Sequence, residues 1–308
     1  MHELYKKYRP KILEEVIGNR ETVKALSGYL AKKILPHTIL LSGPSGCGKT
    51  TLGRIIRRKL KCSQADYKEL NCSDFRGVDT VREISRTMTL APIGGSVRVF
   101  LLDEVHQLTK DGQNAALKIL EDTPSHVYFI LCTTDPGKLL KTIVTRCAHF
   151  PVESLSHEQV EKLLSRTSSR AKVEISKDTL EAIVDAAEGS ARTALVLLDK
   201  VAQLDEKDRA KAVKKAKDDQ TVGIDLCRAL LTPRKKADWK RVAQILKGVT
   251  EEPEQVRWAV LGYARAILLS TGDPQAYNVL CAFENNFYDS KTAGLARACF
   301  EAVYGGES

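Results

Sequence analysis

No run of apolar residues in this chain approaches the ~20 that a membrane-spanning helix needs, and the opening "MHELYKKYRP" lacks the hydrophobic core of a secretory signal. Cysteine is present, but not in any pattern that does chemistry. The eight cysteines stand at 47, 62, 72, 132, 147, 227, 281 and 299, with no CxxC pair and no Cys/His grouping at zinc spacing. That scatter argues against a disulfide framework. Most lie in apolar or small-residue runs, where a free thiol behaves as a modest hydrophobe. Aromatics are scarce at 6%, and no low-complexity tail closes the chain. The expectation is a reduced, soluble, cytoplasmic protein without a structural metal.

What the sequence does have is length and positive charge. Charged residues make up 28%, with 48 Lys plus Arg against 39 Asp plus Glu, a formal charge of +9. Such an excess serves solubility, or it fits a polyanionic partner, because a basic face releases counterions when it meets phosphates. At 308 residues the chain is too long for one small core, and two or three domains are expected.

Apolar spacing divides the chain. "NRETVKALSGYLAKKIL" sets Val23, Leu26 and Leu30 on one helical face, with Asn19 placed to cap it. "HTILLSG" reads as a buried strand, and "KTTLGRIIRRKL" returns to helical spacing through Leu52, Ile55, Ile56 and Leu60. Further strands are predicted near 67–70, 97–104, 126–134 and 149–152, separated by helices at about 78–88, 111–122 and 138–146. The alternation implies an α/β fold, a five-stranded parallel sheet with helices on both faces. After Pro151 the strands stop. Ser156 and Gln159 are spaced as a capping box, and Gly189 separates two later helices. Residues 206–219 are charge-dense, a linker or a solvated helix, and the rest to Tyr304 is helical. The expected domains are an α/β core over 1–152, a small helical domain over 153–206 and an all-α domain over 207–308.

"GPSGCGKT", residues 43 to 50, matches G-x-x-x-x-G-K-[ST] between a predicted strand and a predicted helix, the context that identifies a P-loop. Gly43, Gly46 and Gly48 let backbone N–H groups turn inward around phosphate oxygens. The loop residues Pro44, Ser45 and Cys47 and the adjoining Thr51 complete the expected ATP contact. Lys49 supplies charge to the β- and γ-phosphates and the Thr50 hydroxyl ligates Mg2+. "VFLLDEVH" ends a buried strand on two acids: Asp103 is placed to hold the Mg2+, and Glu104 to polarise an attacking water. Two carboxylates at a strand end can also be plain surface charge. Beside a P-loop they favour hydrolysis over transfer to a small acceptor. His106 is expected to be structural rather than catalytic.

Several longer stretches follow one another in order: "KYRPKILEEVIGN" (7–19), "LPH" (35–37), "LNCSDFRGVDTVREI" (70–84), "LLDEVHQLTKDGQNAALKILEDTP" (101–124), "CTTDPGKLLKTIVTRC" (132–147) and "EGSARTAL" (188–195). Together with the P-loop, this pattern resembles the AAA+ sliding-clamp loader ATPases over residues 5 to about 200. The 101–124 stretch and "TTDP" are similar to the bacterial gamma/tau subunit, while "LPH" and "LNCSDFRGVD" are closer to the replication factor C small subunits. Two departures accompany this. Cys62 and Cys72 lack the CxxC partners of a gamma/tau zinc module, and the chain stops near where a gamma-type collar would finish. The mixture suggests a phage or otherwise divergent loader.

The resemblance implies roles for single residues. Tyr8, Arg9, Pro10, Val16 and Ile17 match the box that encloses adenine. Thr134 matches the polar sensor that positions water, with Thr133 the alternative if the register is one residue off. Arg192 matches the second sensor, reaching its own chain's γ-phosphate, or is a solvated arginine at a helix start. Arg146, in "TRC" where the family has Ser-Arg-Cys, matches an arginine finger for the neighbouring subunit's ATP; the alternative is a local carboxylate partner. The implied partners are a sliding clamp, primer–template DNA held by its phosphates, and further loader subunits in a pentameric ring. Arg76, Arg82 and Lys110 would face the DNA, or are plain surface charge, whereas "RRKLK" (57–61) and "RKKADWK" (234–240) would lie on outer faces. Trp239, Trp258 and Tyr263 read as core or interface anchors. The implied function is an ATPase subunit that opens a clamp and places it on primed DNA. The competing classes are a branch-migration or recombination-associated AAA+ motor and a non-hydrolysing loader scaffold.

Overall fold

The computed structural model describes residues 3–231, 239–249 and 252–304. The chain forms two compact units, the first 210 residues and the remainder from Lys211.

The first unit is built on a five-stranded sheet in the order β2-β3-β4-β1-β5, with every pairing parallel. The strands are β1 (Thr38–Ser42), β2 (Tyr67–Asn71), β3 (Arg98–Asp103), β4 (Val127–Thr133) and β5 (Ala148–Pro151). Alternate residues of the central strands feed two separate cores, as the two-residue period of a strand requires. Leu40, Phe100, Leu102, Phe129 and Leu131 face one side, and Ile39, Leu41, Val99, Leu101 and Ile130 the other. Phe100 and Phe129, paired in register, stack with ring centroids 5.3 Å apart.

Helices cover both cores. After a short α1 (Leu4–Lys7), α2 (Arg20–Ala31) and α3 (Lys49–Lys59) pack on one face through Leu26, Leu52, Ile55 and Ile56. α4 (Val78–Met88), α5 (Lys110–Glu121) and α6 (Lys141–Arg146) pack on the other through Val81, Ile84, Ile119 and Ile143. Three helices follow β5 as a lid: α7 (His157–Ala171), α8 (Lys177–Ala187) and α9 (Ala191–Val201). α7 starts with the expected capping box, both the Ser156 and Gln159 side chains bonding back to backbone. Ser176 and Ser190 cap α8 and α9.

Asn19 does not cap α2. Its backbone is left-handed (φ 51°), and no side-chain cap bond forms. The amide instead bonds the main chain where the sheet gives way to the lid: Nδ2 donates to Glu153 O at 3.2 Å and Glu153 N donates to Oδ1 at 2.7 Å. A second tie runs from the Tyr8 hydroxyl to the Arg170 carbonyl on α7, at 3.0 Å.

The second unit holds most of α10 (Glu206–Leu230), then α11 (Trp239–Lys247), α12 (Pro253–Thr271), α13 (Pro274–Ala282) and α14 (Lys291–Tyr304). The charge-dense stretch 206–219 is therefore helix, not linker. Trp239 packs edge-on against Phe300 at 5.1 Å, but Trp258 and Tyr263 are 62% and 37% exposed and are not core. The basic residues 234–238 lie outside the described residues. The buried Arg257 guanidinium is saturated by the Phe283 and Glu284 carbonyls and by Glu254. Among the described residues no helix is long and apolar enough to cross a membrane.

The cysteines are free thiols. Burial pushes Cys72 and Cys147 up to about 12, so neither carries a thiolate at neutral pH.

One buried carboxylate fastens the segment after α4. Asp66, 2% exposed, accepts the Ile93 and Gly94 N–H groups at 2.7 and 2.8 Å, the Ser63 hydroxyl at 2.7 Å and the Arg98 guanidinium at 3.4 Å. Burial alone would raise this carboxyl, but the donors outweigh it and hold it at about 2. The folded value lies below the unfolded one, so the stabilisation is complete above pH ~4 and lost as pH falls through ~2. Asp66→Asn is expected to lower stability at pH 7 by about 2 kcal/mol. In urea melts across pH, the gap to wild type should close between pH ~4 and ~2.

Candidate active site

The sheet brings its chemistry to one edge. β1 runs straight into loop 43–48, and α3 begins at Lys49. Two glycines of that loop need left-handed backbone, and for different reasons. Gly46 (φ 76°) lies so close to the lid that a Cβ would sit 2.2 Å from Ser190 Oγ, whereas Gly48 (φ 107°) faces open space. Gly46 therefore admits the lid, and Gly48 leaves bare backbone at the start of α3, where helix N–H groups favour an anion.

Lys49 is 5% exposed and donates to the Gly43 and Pro44 carbonyls at 2.7 and 2.8 Å. Those two residues do not line the cleft themselves; they hold the ammonium at its floor. A phosphate oxygen, fully charged, outcompetes neutral carbonyls for such a donor. Beside it, the Thr50 hydroxyl donates to Asp103 Oδ2 at 2.8 Å. That pair offers two hard oxygens side by side, the donor type Mg2+ takes alongside phosphate and water.

Glu104 follows on left-handed backbone (φ 50°), its N–H bonded to Asp103 Oδ1 at 3.1 Å. Its Oε2 accepts the Thr134 hydroxyl at 3.0 Å and lies 3.3 Å from His106 Nδ1. Thr133 is fully buried and bonds elsewhere, to the Asp135 N–H at 3.1 Å and to His106 Nδ1 at 3.0 Å. Thr134, not its neighbour, is the hydroxyl that meets Glu104.

A cleft of about 430 Å³ joins these groups to the lid and the N-terminal segment. Its lining includes Tyr8, Arg9, Pro10, Val16 and Ile17, the loop residues Ser45, Gly46, Cys47, Gly48, Lys49, Thr50 and Thr51, both Asp103 and Glu104, and Arg192. Arg192 also donates its N–H to the Gly46 carbonyl at 3.3 Å, so α9 starts against the loop. A nucleoside triphosphate with Mg2+ fits this donor set: an apolar and aromatic end, a buried ammonium, a bare helix start and a hydroxyl–carboxylate pair.

Arg146 is not in the cleft. It ends α6, donates to the Thr142 carbonyl at 3.0 Å, and forms an ion pair with Glu121 of α5. Arg76 and Lys110 come together, since Thr109 N bonds the Arg76 carbonyl at 3.1 Å. Arg82 is exposed on α4 and pairs with Asp79 at 3.1 Å.

The cleft contains residues that sequence reasoning passed over. Asn71 ends β2 in register with Asp103, so the logic that picked Asp103 from its strand end applies to it too. Glu69 is gripped by the Arg54 fork at 2.9 and 2.6 Å and by the Tyr67 hydroxyl at 2.6 Å. Burial alone would raise the Glu69 carboxyl; these donors instead hold it below the usual range. Arg166 of α7 reaches the cleft from the lid, and burial, with Arg170 beside it, makes its guanidinium less basic than usual. No local pattern marks it, because its place depends on how the lid docks.

Comparison with known proteins supports the clamp-loader resemblance. A family model described as DNA polymerase III, delta subunit, matches residues 74–156. The gamma/tau subunit of DNA polymerase III from Mycobacterium tuberculosis is 35% identical over 221 residues, covering 64% of this chain and 38% of that protein. The gamma subunit from Buchnera aphidicola is 35% identical over 217 residues, covering 64% of this chain and 60% of its own length. The chain thus spans less than two thirds of the length of each of these relatives. A RuvB structure from Thermotoga maritima, 21% identical, superposes with a TM-score of 0.59 over 86% of this chain and 89% of its own, a likeness of fold. Over the matched residues, this chain is similar to the gamma and gamma/tau subunits of DNA polymerase III.

Proposed function

We propose that this chain is an ATP-hydrolysing subunit of a sliding-clamp loader, which opens a ring-shaped clamp and sets it on primer–template DNA. The observation that carries the hydrolytic reading is the row Lys49, Thr50–Asp103 and Glu104 along one edge of the sheet, lining one cleft, with the Thr134 hydroxyl bonded to Glu104. Bound ATP draws Lys49 from the Gly43 and Pro44 carbonyls to its phosphates. Thr50 and Asp103 would hold Mg2+, which would supply positive charge to offset that of the phosphates. Glu104 takes a proton from the attacking water as the bond to ADP breaks. Arg192 reaches the phosphates from the lid, and the Tyr8-to-Ile17 segment encloses the adenine.

Arg146 completes the site of the next copy in the ring. Its position outside its own cleft supports that division of labour. The ion pair with Glu121 is a resting partner, since exposed pairs are worth only about 0–1 kcal/mol and exchange readily for a phosphate. Arg76, Arg82 and Lys110 meet DNA through phosphates, which positions the duplex without reading its sequence. The second unit supplies the collar, with the exposed Trp258 and Tyr263 as anchors between subunits.

The test is steady-state ATPase of the full chain with and without primer–template DNA and the cognate clamp. Arg146→Ala is expected to keep its ATP affinity and lose the stimulated rate by about 10³-fold. Lys49→Ala subunits, unable to turn over, should still supply Arg146 to the intact P-loop of Arg146→Ala neighbours and restore turnover in mixed rings of the two. Unchanged turnover in Arg146→Ala together with no clamp effect overturns the loader reading; stimulation by a four-way junction instead would assign the chain to branch migration. Glu121→Gln is expected to change stability by less than about 1 kcal/mol and to leave stimulated turnover at or above wild type, because it frees the arginine.

A further inference from the structure

His106 is a buried histidine that the reading above leaves without a task. Its imidazole is 6% exposed, lies beside Glu104, and is outside the lining of the cleft. Its two nitrogens have different neighbours. Nε2 is 3.0 Å from the Gln107 side-chain amide nitrogen, a donor, so Nε2 is the acceptor nitrogen. Nδ1 is 3.0 Å from Thr133 Oγ1 and 3.3 Å from Glu104 Oε2. A lone pair on Nδ1 would face a carboxylate oxygen and be repelled by it. Both neighbours therefore assign the same tautomer, with the proton on Nδ1.

That proton is shared between the Thr133 hydroxyl, its hydrogen-bond partner, and the nearby Glu104 carboxylate. Thr133 Oγ1 already accepts the Asp135 N–H at 3.1 Å, and Glu104 Oε2 already accepts the Thr134 hydroxyl at 3.0 Å. The N–H dipole of His106 thus faces, at 3.3 Å, the Glu104 oxygen that Thr134 holds. Among the described residues, no side chain or N–H is bonded to the other oxygen, Oε1.

We propose that His106 is a positioning residue for hydrolysis: its Nδ1–H, acting with Thr134, fixes Glu104 Oε2 and leaves Oε1 as the oxygen that takes the proton from water. This rests on the reading of Glu104 as the general base. A hydroxyl bonded to one oxygen and an N–H dipole facing the same oxygen do two things. They stop the carboxylate rotating about its last bond, and they concentrate its available lone pairs on the other oxygen. His106 makes no contact with nucleotide in this arrangement, so its loss bears on the rate and not on affinity.

The experiment uses the fact that asparagine places an amide nitrogen near the position of Nδ1, and glutamine near that of Nε2. His106→Ala, His106→Asn and His106→Gln in the full chain are compared by single-turnover ATP hydrolysis and by equilibrium titration with a fluorescent ATP analogue. His106→Ala should lower the hydrolysis rate at least about tenfold, the scale of one hydrogen bond to a charged group, with analogue affinity within twofold of wild type. His106→Asn should restore most of the rate, and His106→Gln should not. A wild-type rate in His106→Ala, or equal rescue by glutamine and asparagine, overturns the assignment of Nδ1. Should the alanine variant not fold, the asparagine–glutamine contrast alone decides. Glu104→Gln is measured alongside. If it abolishes turnover while His106→Ala does not, only the role of His106 falls; if it turns over as wild type does, the reading of Glu104 as base falls with it.

Discussion

Parallel strands all end on the same side of a sheet, and in this protein that single constraint gathers the site. β1 delivers the loop that ends at Gly48, β2 ends at Asn71, β3 at Asp103 and β4 at Thr133, and β5 leads through Val152 into the lid. None of these residues is near the others in sequence. They meet because β3, β4 and β1 are consecutive in the sheet and their apolar interiors fix the register. A slip of one residue in β3 would move Asp103 away from Thr50 and turn Phe100 and Leu102 to the wrong core. The chemistry is therefore protected by the same packing that holds the fold.

Charge is paired in the buried interior, while at the cleft and at the end of α6 it rests on weaker partners. Arg98 and Asp66, and Arg257 with Glu254 and two carbonyls, are buried and saturated. Lys49, by contrast, sits on carbonyls alone, and Arg146 on an exposed carboxylate. Neutral or solvated partners of that kind are weak competitors for a phosphate.

How much of this was legible in the sequence follows from the range of each interaction. The five strands, the P-loop and the capping box at Ser156 are local patterns, and they read correctly because apolar spacing and short motifs carry their own geometry. Asn19 misled for the same reason. Its position before α2 is that of a cap, but the backbone of Glu153, distant in sequence, offered its amide two bonds. Residue type alone leaves Trp258 and Tyr263 as core or interface anchors, and their exposure removes the first of these. The place of Arg166 and the contact of His106 with Thr133 depend on the lid and on β4, so no window of sequence contains them.

The ties at Asn19 and Tyr8 have a geometric consequence. One fastens the beginning of α2 to Glu153, the other fastens the N-terminal segment to the far end of α7. Two fixed points define a line, and a rigid lid pinned at two points retains one rotation, about that line. The contact between Gly46 and the start of α9 lies at a third point and arrests that rotation. The segment that lines one end of the cleft thus supplies two of the lid's fixed points, and the glycine-rich loop supplies the third.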